Sequence, residues 1–198
     1  MTQLIRFGRL ALVAVLIGGI GGCASVLISP KTIVDRAIEA RSASDIAGDN
    51  RIVVAANTLM AELKLISAST EIYEQRLLVT GIIDEQADYD AFKRGIERIS
   101  GVRRLYWHVV QMSKADQEAQ GDALLSWTDA VALDAKIGVR LFERDGVADV
   151  NFREGVDSFA TVYLLGRARS QSELDIALAA TQGAKGVKKV VNYVEVRP

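Results

Sequence analysis

The sequence predicts an α+β protein in which one small unit is built twice, and three repeated blocks carry that prediction. Asp49-Asn-Arg-Ile52 recurs as Asp134-Ala-Lys-Ile137, and Leu78-Val-Thr-Gly81 recurs as Tyr163-Leu-Leu-Gly166. Gly101-Val-Arg-Arg-Leu105 recurs as Gly186-Val-Lys-Lys-Val190. All three pairs share one spacing, 85 residues, and Asp90/Asp175 and Val109/Val194 match at the same spacing. Separate blocks held at one fixed period are the signature of a duplicated structural unit.

Each copy parses in the same order. Asp49 and Asp134 are expected to cap a first helix, because a carboxylate can accept the free N–H groups of its first turn. Ile52, Ala56 and Leu59 then share one helical face, as do Ile137 and Leu141. A hairpin follows, over about 67–72 with 76–83, and over about 152–157 with 161–168. Gly81 and Gly166 are expected to end these hairpins. Tyr89, Phe92, Ile96 and Ile99 fall at helical spacing, as do Leu174, Ala177, Leu178 and Thr181. Ser170 with Glu173 reads as a capping box. Gly101 and Gly186 suit the left-handed turn that ends a helix, so the last strand starts after them. The expected unit is α-β-β-α-β, a three-stranded sheet with two helices on one face.

The amino terminus carries a different signal. Arg6 and Arg9 precede an apolar run over 10–17, a Gly-rich stretch with Ile20 fills 18–22, and Cys23 is the only cysteine in 198 residues. That is the order of an export signal. The apolar run is shorter than the roughly 20 residues of a membrane span. Ending on a cysteine, the segment resembles a bacterial lipoprotein signal, which implies cleavage after Gly22 and lipidation of Cys23. The other reading of Cys23 is a buried thiol in an N-terminal anchor helix. Two or more acyl chains anchor stably where one does not. The residue after Cys23 is Ala24, and by resemblance to enterobacterial lipoproteins the absence of aspartate there implies sorting to the outer membrane, facing the periplasm.

Without residues 1–22 the chain has 176 residues, with 22 Lys+Arg against 25 Asp+Glu. That mild acidity carries no nucleic-acid signature. With a lone cysteine there is no disulfide framework, so stability has to come from packed cores. The expected organisation is a signal (1–22), a tether (23–44), a first unit (45–112), a linker (113–123) and a second unit (124–198). Within the tether, Ser29-Pro30 opens an amphipathic helix bearing Ile33, Val34, Ala37 and Ile38. It lies on the membrane, packs on the first unit, or spaces that unit from the bilayer. The polar run 113–122 suits a linker.

The repeated pattern resembles the BON domain (bacterial OsmY and nodulation), through Asp-x-x-Ile in the first helix, Gly81 and Gly166, and the Gly-Val-basic-basic-aliphatic block. A lipobox followed by two such units resembles the dual-BON outer-membrane lipoproteins of Gram-negative bacteria. That resemblance implies phospholipid binding and support of envelope integrity.

Nothing in the sequence points to catalysis. His108, the only histidine, is expected on a strand beside Trp107 in a structural role, since a zinc site needs three or four ligands. No phosphate-loop or nucleophile-elbow motif occurs. Asp84, Glu85 and Asp88 gather where a helix should start, which the helix dipole explains. No cofactor or metal is expected.

Anionic phospholipid binding needs an apolar or aromatic wedge beside cations. Trp127 offers the first, and Lys136, Arg140 and Arg144 form a basic stripe at four-residue spacing. The resemblance implies that the first helix of the second unit faces lipid. It also implies an aromatic two residues before Asp134, where this chain has Ala132. The alternatives are that Trp127 plugs the interface between units and that the stripe is a solvated face paired with Glu143 or Asp145. Arg103-Arg104 and Lys188-Lys189 form a second basic pair in each copy. The other functional class is a tethered adaptor that docks an envelope protein on strand edges near Val109, Val110, Tyr193 and Val194.

Overall fold

The computed structural model describes residues 39–198; Cys23, the export segment and the helix expected after Pro30 lie outside the described residues. The first unit runs α1 (Ala43–Glu62), β1 (Ala68–Tyr73), β2 (Arg76–Ile83), α2 (Gln86–Glu97) and β3 (Arg104–Gln111). The second runs α4 (Trp127–Phe142), β4 (Phe152–Val156), β5 (Thr161–Ala168), α5 (Gln171–Gln182) and β6 (Lys189–Val196). Each forms a three-stranded sheet, β1-β2-β3 and β4-β5-β6. In each the hairpin pair is antiparallel and the last pair is parallel, the helix supplying the crossover. Arg76 pairs with Arg104 and Thr161 with Lys189, so the sequence period survives as sheet register.

Local chemistry explains the boundaries, and corrects two expectations. Ser42 caps α1 in a reciprocal capping box with Asp45, and Ser126 caps α4 by accepting from Asp129 N–H. Asp49 and Asp134 therefore lie inside their helices and are not caps. A serine hydroxyl just ahead of each helix reaches the free N–H groups first. Residues 113–123, the expected linker, are largely helical. They form α3 (Lys114–Gln120), capped by Ser113, and a 3-10 turn. Ser170 does cap α5 through Glu173 N–H, but the Glu173 carboxylate turns to the backbone N–H groups of Ala148 and Arg169.

Gly81 and Gly166 form the last pairs of their hairpins, with Ala68 and Phe152, two residues before β2 and β5 themselves end, both at φ +145°. A Cβ there would lie 2.4 Å from the Ser67 carbonyl oxygen and 2.1 Å from that of Asn151. Only glycine lets the hairpin arms approach so closely. Gly101 and Gly186 have positive φ, as expected after a helix.

Leu77, Val79 and Ile83 of β2 face Ile52, Phe92 and Ile96 of the helices. Val162, Leu164 and Ala168 of β5 meet Ile137, Leu141 and Ala177 in the same way. The opposite faces of the two sheets do not meet water. Tyr73, Leu78, Tyr163 and Leu165 form a third buried cluster, joined by Tyr106, Val191 and Tyr193. The molecule is thus four layers, helices–sheet–sheet–helices, and every residue of β2 is buried. Burying one Leu or aromatic side chain is worth about 1.5–3 kcal/mol, so this seam is a true core between units.

The seam is nearly two-fold. His108 Nε2 and the Tyr193 hydroxyl, at equivalent repeat positions, are 2.8 Å apart. Tyr106 stacks on Tyr193 at 3.9 Å between centroids and His108 on Tyr163 at 4.1 Å. Desolvation lowers the His108 pKa, which disfavours the charged ring in this stack. His108 is part of the packing, on β3 beside Trp107 as expected.

Candidate functional site

Helix α4 is buried along one face by Ala130, Leu133, Ile137 and Leu141. At 100° per residue, Trp127, Val131, Ala135, Val139 and Phe142 fall on another face. Trp127, Val131, Val139 and Phe142 are 41–54% exposed. A helix that is apolar on both its core and its outer face is unusual at a water boundary and marks a contact surface.

Beside this face runs an open groove of about 820 Å³. Ala135, Lys136, Val139 and Arg140 form one wall, and Ala184, Lys185 and Gly186 the other. Apolar lining rimmed by Lys136 and Lys185, both exposed, is the composition a lipid headgroup and its first methylenes would meet. Lys185, after α5, is a groove cation that helical spacing along α4 could not reveal.

The four expected site residues divide. Lys136 lines the groove freely. Arg140 lines it too, but its Nε donates to the Ala180 carbonyl at 3.0 Å, tying α4 to the end of α5. Arg144 is exposed beyond the helix and outside the groove. Among the described residues no ion pair joins the stripe to Glu143 or Asp145. Trp127 is the first residue of α4, on the apolar face, and lines a different cleft with Leu65, Ile66, Lys114 and Gln117. It therefore leans toward the first unit, away from the Lys136 groove.

The other flank of α4 is acidic. A cavity of about 350 Å³ is lined by Asp134 and Gly138 of α4, Glu154 of β4 and Glu71 of β1. Gly138 makes room: a Cβ there would sit 2.5 Å from Glu154 Oε1. Asp134 Oδ1 is buried without a hydrogen-bond partner. Burial raises the Asp134 pKa to about 6. Burial and the Asp134 charge raise Glu154 to about 7. Burial, then Asp134 and Glu154, raise Glu71 to about 8. Arg153 is the cation that opposes the shift of both glutamates. Sequence reading missed Glu71 and Glu154, because only the packing of β1 on β4 brings them to Asp134. Among the described residues no group of His, Cys, Asp and Glu is arranged to hold a metal ion. Among them, too, no helix is long and apolar enough to cross a membrane.

The BON family matches the stretch that starts at Glu143, just after α4, and ends at Pro198. Residues 143–198 are a BON domain. The BON domain spans β4, β5, α5 and β6, so Lys185 lies inside it and α4 packs on it from outside the matched stretch. A protein of the gshII 5′ region from Anaplasma centrale, described as uncharacterized, is 27% identical over 135 residues, 66% of this chain and 82% of that one. Two solved structures of CdsD, a structural protein of the type III secretion system of Chlamydia trachomatis, align over 74% of this chain. One is matched over 92% of its length at TM-score 0.31 and 9% identity. The other, the C-terminal domain, is matched over 97% at TM-score 0.30 and 10% identity.

Proposed function

We propose that the protein is a lipoprotein, anchored through Cys23 in the outer membrane and facing the periplasm, whose two BON-like units bind anionic phospholipid and support envelope integrity. The observation that carries the lipid reading is the outer face of α4, with Val131 and Val139 about half exposed beside a groove rimmed by Lys136 and Lys185. The BON domain, which is associated with phospholipid binding in the envelope, supports it. Apolar insertion and headgroup attraction act together on such a surface, each basic residue adding about 1 kcal/mol near an anionic bilayer. The tether would hold the helix at high local lipid concentration, so a weak site suffices. Residues 24–198 should bind phosphatidylglycerol or cardiolipin vesicles and release them in high salt. Binding that ignores both salt and Lys136→Glu would remove this reading.

A docking role for an envelope protein remains the second reading, on one observation. β3 and β6 are the outer strands of their sheets, with Val110 and Val196 exposed near their ends. Cell crosslinking that yields one dominant protein partner, without vesicle binding, would favour it.

A further inference from the structure

At one end of the seam, away from α4, a cleft of about 200 Å³ is lined by Arg76, Arg103, Arg104 and Arg197 with Glu74 and Glu195. Both units contribute, since Arg76, Arg103 and Arg104 open β2 and β3 while Glu195 and Arg197 close β6. The two carboxylates are taken. Glu195 pairs with Arg76 at 3.3 Å and with Arg197 at 3.2 Å. Glu74 accepts from Arg197. Arg103 and Arg104 have no carboxylate within ion-pair reach among the described residues, so the cleft carries two surplus positive charges.

Arg76 is the second, independent observation. Its side chain is only 7% exposed. Its Nη1 and Nη2 donate to the carbonyls of Tyr193 and Gly166, at 2.9 and 2.8 Å. Its Nε–H is buried with no acceptor. A buried guanidinium N–H without a partner is costly, and an oxyanion in the cleft would satisfy it.

We infer that this cleft is a phosphate-binding site, built by both units and separate from the α4 groove. Guanidinium groups recognise phosphate because their fixed N–H fork matches its oxygens. The volume admits a phosphate group and little more, so a phosphate ester enters with its remainder in solvent. A bound anion bridging Arg76 and Arg103-Arg104 to the β6 end clamps the two sheets together.

The test uses the full chain in detergent at constant ionic strength. Two probes distinguish the source, inorganic phosphate and dihexanoyl phosphatidic acid below its micelle concentration. At least one should raise Tm and bind saturably. Arg103→Ser with Arg104→Ser should raise its Kd at least tenfold while leaving the unliganded Tm within about 2 °C. Lys136→Glu with Lys185→Glu should leave that Kd unchanged, which separates this site from the lipid groove. Binding of phosphate that displaces the lipid assigns the site to the phosphate group itself. Binding of the lipid alone assigns it to a headgroup. No binding of either probe, or binding that survives the arginine pair but is lost with the lysine pair, overturns the proposal.

Discussion

Helices α1 and α4 occupy equivalent places, yet their matching aspartates do opposite things. Asp49 is 1% exposed and fully engaged. It accepts from the backbone N–H of Glu74 and of Gln75, from Gln75 Nε2, and from Arg41 Nη1. Glu74 and Gln75 are both left-handed, at φ +51° and +60°, in a two-residue hairpin turn without glycine. Such a turn normally takes Asn-Gly or Gly-Gly, and each strained residue costs on the order of 1 kcal/mol. Asp49 offsets that strain from the helix. In the second unit Asp157 does the equivalent work from within its own loop, accepting from Phe159 N, Thr161 N and the Tyr163 hydroxyl. Asp134 is thereby released from the turn and left in the acidic cavity. Duplicated residues keep a fold position, and the neighbouring loop decides their chemistry.

The outer faces of the helices diverge as well. Positions matching Trp127, Ala135 and Phe142 are Ser42, Asn50 and Asn57, while Val131 and Val139 are matched by Ile46 and the exposed Val54, so α1 carries an interrupted counterpart of the stripe that α4 keeps apolar. The contrast makes α4, and not α1, the lipid candidate.

The sharpest break of this comparison is the aspartate pair itself. Asp49→Ala should cost about 3–5 kcal/mol, because it leaves two turn N–H groups unpaired in the interior and takes one of Arg41's two carboxylate partners. Asp134→Ala should cost under about 1 kcal/mol at low pH and should stabilise the protein above about pH 6, where the buried carboxyl ionises. Urea unfolding of both variants checks this, and equal losses would end the claim that the two sites differ.

Next comes pH. The raised pKa values of Glu71 and Glu154 mean that the folded state holds protons the unfolded chain releases. Their stabilising effect is complete below about pH 4.5 and is lost as pH climbs through about 7 to 8. Glu71→Gln should therefore add roughly 2–4 kcal/mol at pH 8.5 and little at pH 5. A gain that does not vary with pH would show that the carboxyl is not buried at the seam.

At the membrane, Lys136→Glu should weaken binding to vesicles with 30% phosphatidylglycerol by about thirtyfold, since the charge changes by two at roughly 1 kcal/mol per step. Arg51→Glu at the matching place in α1 should leave it unchanged. Equal effects would move the lipid face off α4.

The smallest effect is expected at the seam's centre. Tyr193→Phe removes the hydrogen bond to His108 and should cost about 1 kcal/mol in thermal unfolding.

Much of the architecture was legible because it rests on local periodicity. β2 and β5 span the residues expected for them, and the second helices lie where their apolar spacing put them. The caps were misplaced by several residues, since Ser42 and Ser126 compete for the same N–H groups and a repeated Asp is the louder signal. One clue to the seam was present. The runs Leu77-Leu-Val and Val162-Tyr-Leu-Leu165 lack the apolar–polar alternation of a sheet with one wet face.

The sequence by itself determined that one unit is built twice, its element order and its glycine positions, because these depend on residues near one another or on exact repetition. Only the tertiary structure decided that the sheets close against each other, that Glu71 and Glu154 gather at Asp134, and that four arginines share a cleft with two glutamates. Those contacts join side chains as much as 123 residues apart. They follow from which sheet face meets which, and no local pattern encodes that choice.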